Sequence, residues 1–556
     1  MSEALDYGEV SRFRRQPAEV MRLARMGSAH PTRLSFLRIL LRRVTQEGWT
    51  FDRTVWDVDA HGVGRAVYRA KTPMRTYSLI AFSHDLPPEM RTDRVIATAW
   101  DATFTLFDGD PTLADLDRLE ANVPLQEAGR IGPDELCLSR ANRSVRLFQY
   151  VIECLAAGKQ PDASEINAVG YLMRTTAVYG SGKFGAADRE KIAERPELAA
   201  PFQAEMLSVW LIRQFTVDIV EHLAKARGGA KAVGLDPAIK RSLGVGNSTG
   251  LGMAPFLVRH PKLLDHWMQA REEALARIRA LPTATQDSVA ALRKALDDAR
   301  ENARQWQSEH PVQVRKLADL RGDLDKIGNR LEHWDPSEPN PWNTLWLWGD
   351  ETLTLEGQEA LIALLLEVDG DLVDGLTECM SADETSSFRI EGTVSTSETR
   401  ALLEKNYDWA LAIDFDDPRA RSRFWYVSEE KLEPRLGTRT GDAGAEREQP
   451  LGTAWLARQL YGALVDLDGD MPLAEFLLAQ PEHRYMARRV QINSRYPFSE
   501  VHDNLISDEM LPIDLLRCKL AFFGASRFDP RSDRWVRISL FQNQPYPSDF
   551  SQDNSV

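Results

Sequence analysis

"WDVDAHGVGR" (residues 56–65), followed three residues later by Tyr68, and "IDFDDPRARSRFWY" (residues 413–426) share one skeleton: Asp-x-Asp, then Arg, then Tyr. Asp57, Asp59, Arg65 and Tyr68 recur as Asp414, Asp416, Arg423 and Tyr426 at a nearly constant separation. Further along, "TAW" (98–100) returns at 453–455, "DGDPTLAD" (108–115) as "DGDMPLAE" (468–475), and "SRANRS" (139–144) as "SRYPFS" (494–499). Four matches in the same order at near-constant spacing read as an internal duplication.

Each copy opens with a helical pattern, "TRLSFLRILLRRVTQEG" or "TSETRALLEKN". Alternating, aromatic or β-branched runs follow and read as strands: "RAVYRA" (65–70) and "RTYSLIAF" in the first copy, "DWALAIDF" and "RFWYVS" in the second. A helix through the TAW segment, a DGD turn and a further helix, its first turn capped by the second aspartate, complete each copy. Helices and strands are segregated rather than alternating, so the expected class is α+β. The expected organisation is a first α+β module (1–150), a helical insert (151–345) and a second α+β module (346–556).

Within the insert, "PDASEINAVGYLMRTTAVYG" reads as a helix with a capping box, Asp162 with Glu165, and Ile166, Val169, Leu172 and Met173 on one face. Leu317, Leu320, Leu324, Ile327, Leu331 and Trp334 alternate three- and four-residue steps, the seam of a helical hairpin or of a contact between two subunits of a homo-oligomer.

The chain has 556 residues, enough for three or four structural units, and its 43% hydrophobic and 27% charged composition is that of a folded globular protein. A net charge of −15 repels phosphate backbones and anionic membranes, which argues against nucleic-acid and membrane partners. No apolar run approaches a membrane span and the first residues lack a signal-peptide core, so a cytoplasmic location is expected. The four cysteines form no C-x-x-C pair and read as buried thiols.

"KRSLGVGNSTGLGMAPFLVRHP" (240–261) places glycines, serine and threonine between two helical patterns. Its "GNSTG" matches the G-x-S-x-G nucleophile elbow formally, but that motif needs a strand before the serine, and a helical pattern is read there. The stronger reading is an anion site: backbone N–H groups of the glycine turn, hydroxyls from Ser248 and Thr249, the Asn247 amide, and charge from Lys240 and Arg241. "GSGKFG" (180–185) is a G-x-G-x-x-G that follows a helical pattern, so the dinucleotide fingerprint fails its context and a glycine helix stop is the plainer reading; the functional one keeps Lys183, within it, and Arg174, before it, near a bound anion.

In the second copy, Glu429 and Glu430 beside Lys431 and Arg435 offer a tuned general base with an arginine to orient a carboxylate, and His502 is that copy's best titrating group. Asp414, Asp416 and Asp417 invite a magnesium site, but turn capping or arginine pairing is the better reading because the first copy carries the same Asp-x-Asp. Arg527, Arg531, Arg534 and Arg537 among aromatics read as ion pairs or a small-anion contact. No metal site and no cofactor is named by these residues.

The expected protein is therefore an enzyme acting on a small carboxylate- or phosphate-bearing metabolite by acid–base chemistry, of lyase, hydratase or hydrolase type. Ser248, Glu429 and His502 would be catalytic, with Arg174, Lys183, Arg241, Asn247, Thr249 and Arg435 binding substrate. Two other readings are a non-catalytic scaffold or ligand-binding protein using the helical insert for partner contacts, and a nucleotide-binding enzyme with non-standard glycine loops.

Overall fold

The computed structural model describes residues 10–87, 89, 100–123, 132–175, 191–192, 194–247, 261–308, 311–380, 388–414, 424–427, 434–437, 446–448, 451–502, 512–525, 527–528 and 538–551. The class is α+β: a large mixed sheet is separated from a later, smaller sheet by a long helical stretch. Two compact units emerge from the contacts, one comprising residues 35–249, 522–529 and 537–556, the other residues 1–34, 250–521 and 530–536.

In the first unit, β1 (Thr50–Val58), β2 (Gly64–Lys71), β3 (Thr76–Ser83), β4 (Ala102–Asp108), β5 (Glu135–Arg143) and β6 (Tyr171–Thr175) pair antiparallel in chain order. Next comes β7 (Gly244–Asn247), parallel to β6. A parallel neighbour needs a crossover, and the 26-residue helix Gln203–Gly228 supplies it. The small sheet has β8 (Phe424–Val427) between β9 (Pro434–Gly437) and β10 (Glu446–Glu448). The last strands, β11 (Arg527–Phe528) and β12 (Ile538–Leu540), rejoin the large sheet, with β12 pairing β7.

Strands β3 and β4 are buried on both faces because each face is covered. On one side Phe215 of the long helix meets Tyr68 and Phe104; on the other, Val67, Ile80, Phe82 and Phe107 pack with Leu116 and Leu119 of the helix Leu113–Asn122. Burial on both sides corrects the expected helix through TAW in the first module: residues 102–108, rich in Thr and Phe, are strand. The equivalent stretch of the second module is the expected helix, Leu451–Val465.

Other expectations change in the same local way. "DWALAIDF" begins as the short helix Asp408–Leu411, because Tyr407 and Ala410, three residues apart, both reach the core that includes Leu460. The DGD turns do precede helices, but the first helix is capped by Thr112 with Asp115, and the second has Pro472 at its N-cap. Asp162 caps its helix through Ser164 rather than in a box with Glu165. That helix stops at Gly170, whose φ of 77° ends it, so Leu172 and Met173 belong to β6. In the first Asp-x-Asp, Asp59 caps the turn through the N–H groups of His61 and Val63, and Asp57 lies 3.8 Å from Arg65.

The second unit is mainly helical. The leucine seam lies along Pro311–His333 and is buried within the chain, packed with Leu292, Leu296 and Ala299 of Gln286–Gln305: the hairpin reading holds, and these side chains are not free to meet a second subunit.

Asp265, in the helix Pro261–Arg279, is buried and accepts hydrogen bonds from Phe498 N–H (2.8 Å) and the Gln269 amide (2.6 Å). Burial pushes its pKa up to about 6 despite these donors. The folded state thus holds this proton more tightly than the unfolded chain, and the stability it brings is lost as pH rises from about 4 through about 6. Asp265→Asn, with Gln269 turned to accept, should come close to the wild type at pH 3.5 and exceed it by about 1–3 kcal/mol at pH 7.5. Urea unfolding at the two pH values checks this, and an unchanged difference between them would contradict it.

Candidate functional site

β6 and β7 run side by side in the same direction, with Arg174 opposite Gly246. β6 leads along the chain into "GSGKFG", and β7 ends at Asn247, directly before Ser248. Both glycine-rich segments therefore follow, in chain order, strands that run side by side in the same direction; residues 176–190 and 248–260 themselves lie outside the described residues. A strand precedes each, where the sequence pattern reads as helical. The cause is tertiary: β7 holds only Gly, Val, Gly and Asn and becomes a strand because β6 and β12 flank it.

Arg174 is 2% exposed, and its side chain lies across β7: a Cβ at Gly246 would come within 2.8 Å of Arg174 Cγ and 2.6 Å of Tyr171 Cγ. Glycine is needed there because the two side chains occupy the space. Across β5, Arg174 pairs with Asn142, and one step along, Arg140 pairs with Thr103 of β4. Because side chains alternate along a strand, Asn142, Arg140, Thr103, Thr105 and Arg174 share one face of the sheet. It is the face whose apolar part is covered by Leu116 and Leu119.

Two more features mark the place. The Arg140 guanidinium lies 3.7 Å from the centre of the Trp100 ring. Asp101, 1% exposed, accepts from Arg143 N–H at 2.9 Å and faces the Arg143 guanidinium at 3.5 Å, which also donates to the His84 carbonyl. In the same neighbourhood, Thr103 Oγ1, Thr105 Oγ1, Trp100 Nε1 and His84 Nε2 are buried without a hydrogen-bond partner among the described residues. Such groups are few in native interiors, and four together mark a place where a polar occupant would be held. Burial lowers the pKa of His84, with Arg143 adding to the fall, so its ring favours the neutral form.

The other residues singled out from sequence are placed as follows. Asn247 closes β7 opposite Ile538. Arg241 ends the helix Pro237–Ser242 and pairs with Asp549 at 2.9 Å, so its charge is held by the C-terminal segment. Arg435 lies in β9 opposite Tyr426. His502 belongs to the helical unit, where its N–H donates to Met21 and its ring stacks on Trp409. Ser248, Thr249, Lys183 and Glu429, with Glu430, Lys431, Asp416 and Asp417, lie outside the described residues.

Sequence reasoning misses Arg140, Asn142 and Arg143, although "SRANRS" stands out as half of a repeat. Two arginines and an asparagine within one strand are the signal. Among the described residues no group of three or more His, Cys, Asp or Glu side chains is arranged to hold a metal ion, and no helix is long and apolar enough to cross a membrane. Compared with known proteins, the chain matches no family model, no curated protein and no solved structure.

Proposed function

We propose that this protein binds a small carboxylate- or phosphate-bearing metabolite at the carboxyl ends of β6 and β7, and acts on it by acid–base or hydrolytic chemistry. The observation that carries the reading is that both glycine-rich segments leave from adjacent parallel strand ends, with buried Arg174 laid across the second. The carboxyl ends of parallel strands are where open sheets receive ligands, and a guanidinium beside flexible backbone suits an oxyanion. Arg140, the Trp100 N–H and the two threonine hydroxyls would add donors, and His84, favoured neutral, would accept a proton. Ser248 directly follows β7, which supplies the strand that the nucleophile-elbow reading lacked and favours the hydrolase form.

The test is calorimetric titration with inorganic phosphate and with succinate. Arg174→Leu should weaken binding of the preferred anion at least tenfold, and Gly246→Ala should weaken it by displacing Arg174. Ser248→Ala should leave binding within twofold but remove turnover of aryl ester or aryl phosphate substrates. If the wild type binds neither anion, or Arg174→Leu binds as well as wild type, the reading fails.

A further inference from the structure

At the opposite edge of the same sheet, a cleft of about 270 Å³ opens between β1, β2, the long helix and the turn Pro547–Phe550. Its apolar wall is Phe51, Leu211 and Pro547. Its polar wall is a network centred on Asp218. One carboxylate oxygen accepts from Arg53 Nη1 (2.9 Å) and the Tyr68 hydroxyl (2.8 Å), and the other accepts from Gln214 Nε2 (2.8 Å).

This network fixes the Gln214 amide. With its nitrogen committed to Asp218, its oxygen Oε1 is buried and without a donor among the described residues, on a side chain that lines the cleft and is 7% exposed. A buried acceptor left without a hydrogen bond destabilises the fold, so a ligand that donates an N–H there relieves that cost. The charges of the cleft balance: Asp52 pairs with Arg69 through two hydrogen bonds of 2.9 and 2.6 Å, and Asp218 faces Arg53. Two carboxylates and two guanidiniums give a lone anion or a lone cation no net advantage, whereas a molecule carrying both charges finds a partner for each.

We propose that this cleft binds a small zwitterion of amino-acid type. Its ammonium donates to Gln214 Oε1, its carboxylate turns toward Arg53 and Arg69, and an apolar side chain lies on Phe51, Leu211 and Pro547. The site is independent of the anion site at Arg174 and shares no residue with it.

The full-length protein is titrated with each free L-amino acid by calorimetry, with inorganic phosphate and butylamine as single-charge competitors. At least one apolar amino acid should bind the wild type and Arg174→Leu alike, with neither competitor displacing it. Gln214→Met should weaken binding at least tenfold. Ser548→Trp, at an exposed rim position outside the network, should block the cleft and abolish binding. Because Gln214→Met also removes a donor to Asp218, Ser548→Trp alone decides if the former fails to fold. Absence of binding by any amino acid, binding that survives Ser548→Trp, or displacement by phosphate or butylamine alone would overturn the proposal.

Discussion

Replacing Glu272 by leucine is expected to cost about 3–5 kcal/mol of folding stability. Glu272 lies on the helix Pro261–Arg279 and has no exposed side-chain surface. Both its oxygens accept from Arg15, at 2.8 Å each, and one also accepts from Arg271 at 2.9 Å. Glu359, equally buried, faces Arg15, Arg25 and Arg271 at 3.0–3.4 Å. Three guanidiniums thus surround two carboxylates. Removing one carboxylate leaves buried positive charge that the other cannot neutralise, and that residual charge dominates the cost.

The same network predicts an acid limb. Burial alone would raise the pKa of Glu272, but Arg15 and Arg271 outweigh it and pull it down to about 2. A depressed carboxylate gives stability that is complete above its unfolded value near 4.5 and is lost as pH falls toward 2. Urea midpoints between pH 7 and 3 should therefore fall less steeply in Glu272→Leu than in the wild type. Parallel curves would show that the network is not coupled to folding. Arg15→Met combined with Glu272→Leu should cost less than the two single changes summed, because each single change strands the other's partner.

The second large effect concerns Arg213, in the middle of the long helix and 1% exposed. Its guanidinium has no carboxylate within salt-bridge distance among the described residues. It donates instead to the carbonyls of Leu243 (2.8 Å), Arg241 (3.0 Å), Gln544 (2.8 Å) and Pro545 (3.1 Å), and lies 3.7 Å from the centre of the Tyr546 ring. Burial lowers its pKa to about 10, which leaves it charged at neutral pH. Arg213→Met keeps much of the volume but removes one donor from each of four carbonyls, which keep a second in the Tyr546 hydroxyl, Asn543 N–H, Arg241 Nη1 and Trp210 Nε1, so at about 0.5–1.5 kcal/mol per lost hydrogen bond a loss of about 2–4 kcal/mol is expected. Because two of those carbonyls lie just before β7 and two lie just after β12, hydrogen exchange should accelerate in β7 and β12 before it does in β2 or β3. Uniform acceleration across the sheet would show that Arg213 is not the local tie between them.

The parts of this molecule legible in the sequence are those whose partners lie nearby. β2 and β3 announce themselves by β-branched and aromatic residues, and the helix Phe36–Glu47 by its apolar stripe and a left-handed Gly48 at its end. The leucine hairpin is legible because its two helices are neighbours in the chain. β6 is not, since Ile166, Val169, Leu172 and Met173 keep helical spacing across the Gly170 stop. β7 has almost no side chains to pattern and is defined by strands distant in sequence. For the candidate site, Arg174 can be found because it precedes a glycine run. Arg140, Asn142 and Thr103 escape notice because only strand register brings them to one face. Arg241 attracts attention by its charge, but Asp549, far along the chain, holds that charge.

The position of β12 bears on how the molecule is made. β7 leaves the ribosome roughly 290 residues before the strand that covers its edge, and at translation rates of about 5–20 residues per second that gap lasts on the order of 15–60 s. Throughout it, β7 presents unpaired backbone along one edge, a template for wrong partners. The −15 charge of the whole chain and the two glycines of β7 both disfavour edge-to-edge association. Synthesis thus imposes an order in which the helical unit emerges complete before the sheet can be sealed, and the candidate anion site acquires its final wall among the last acts of translation.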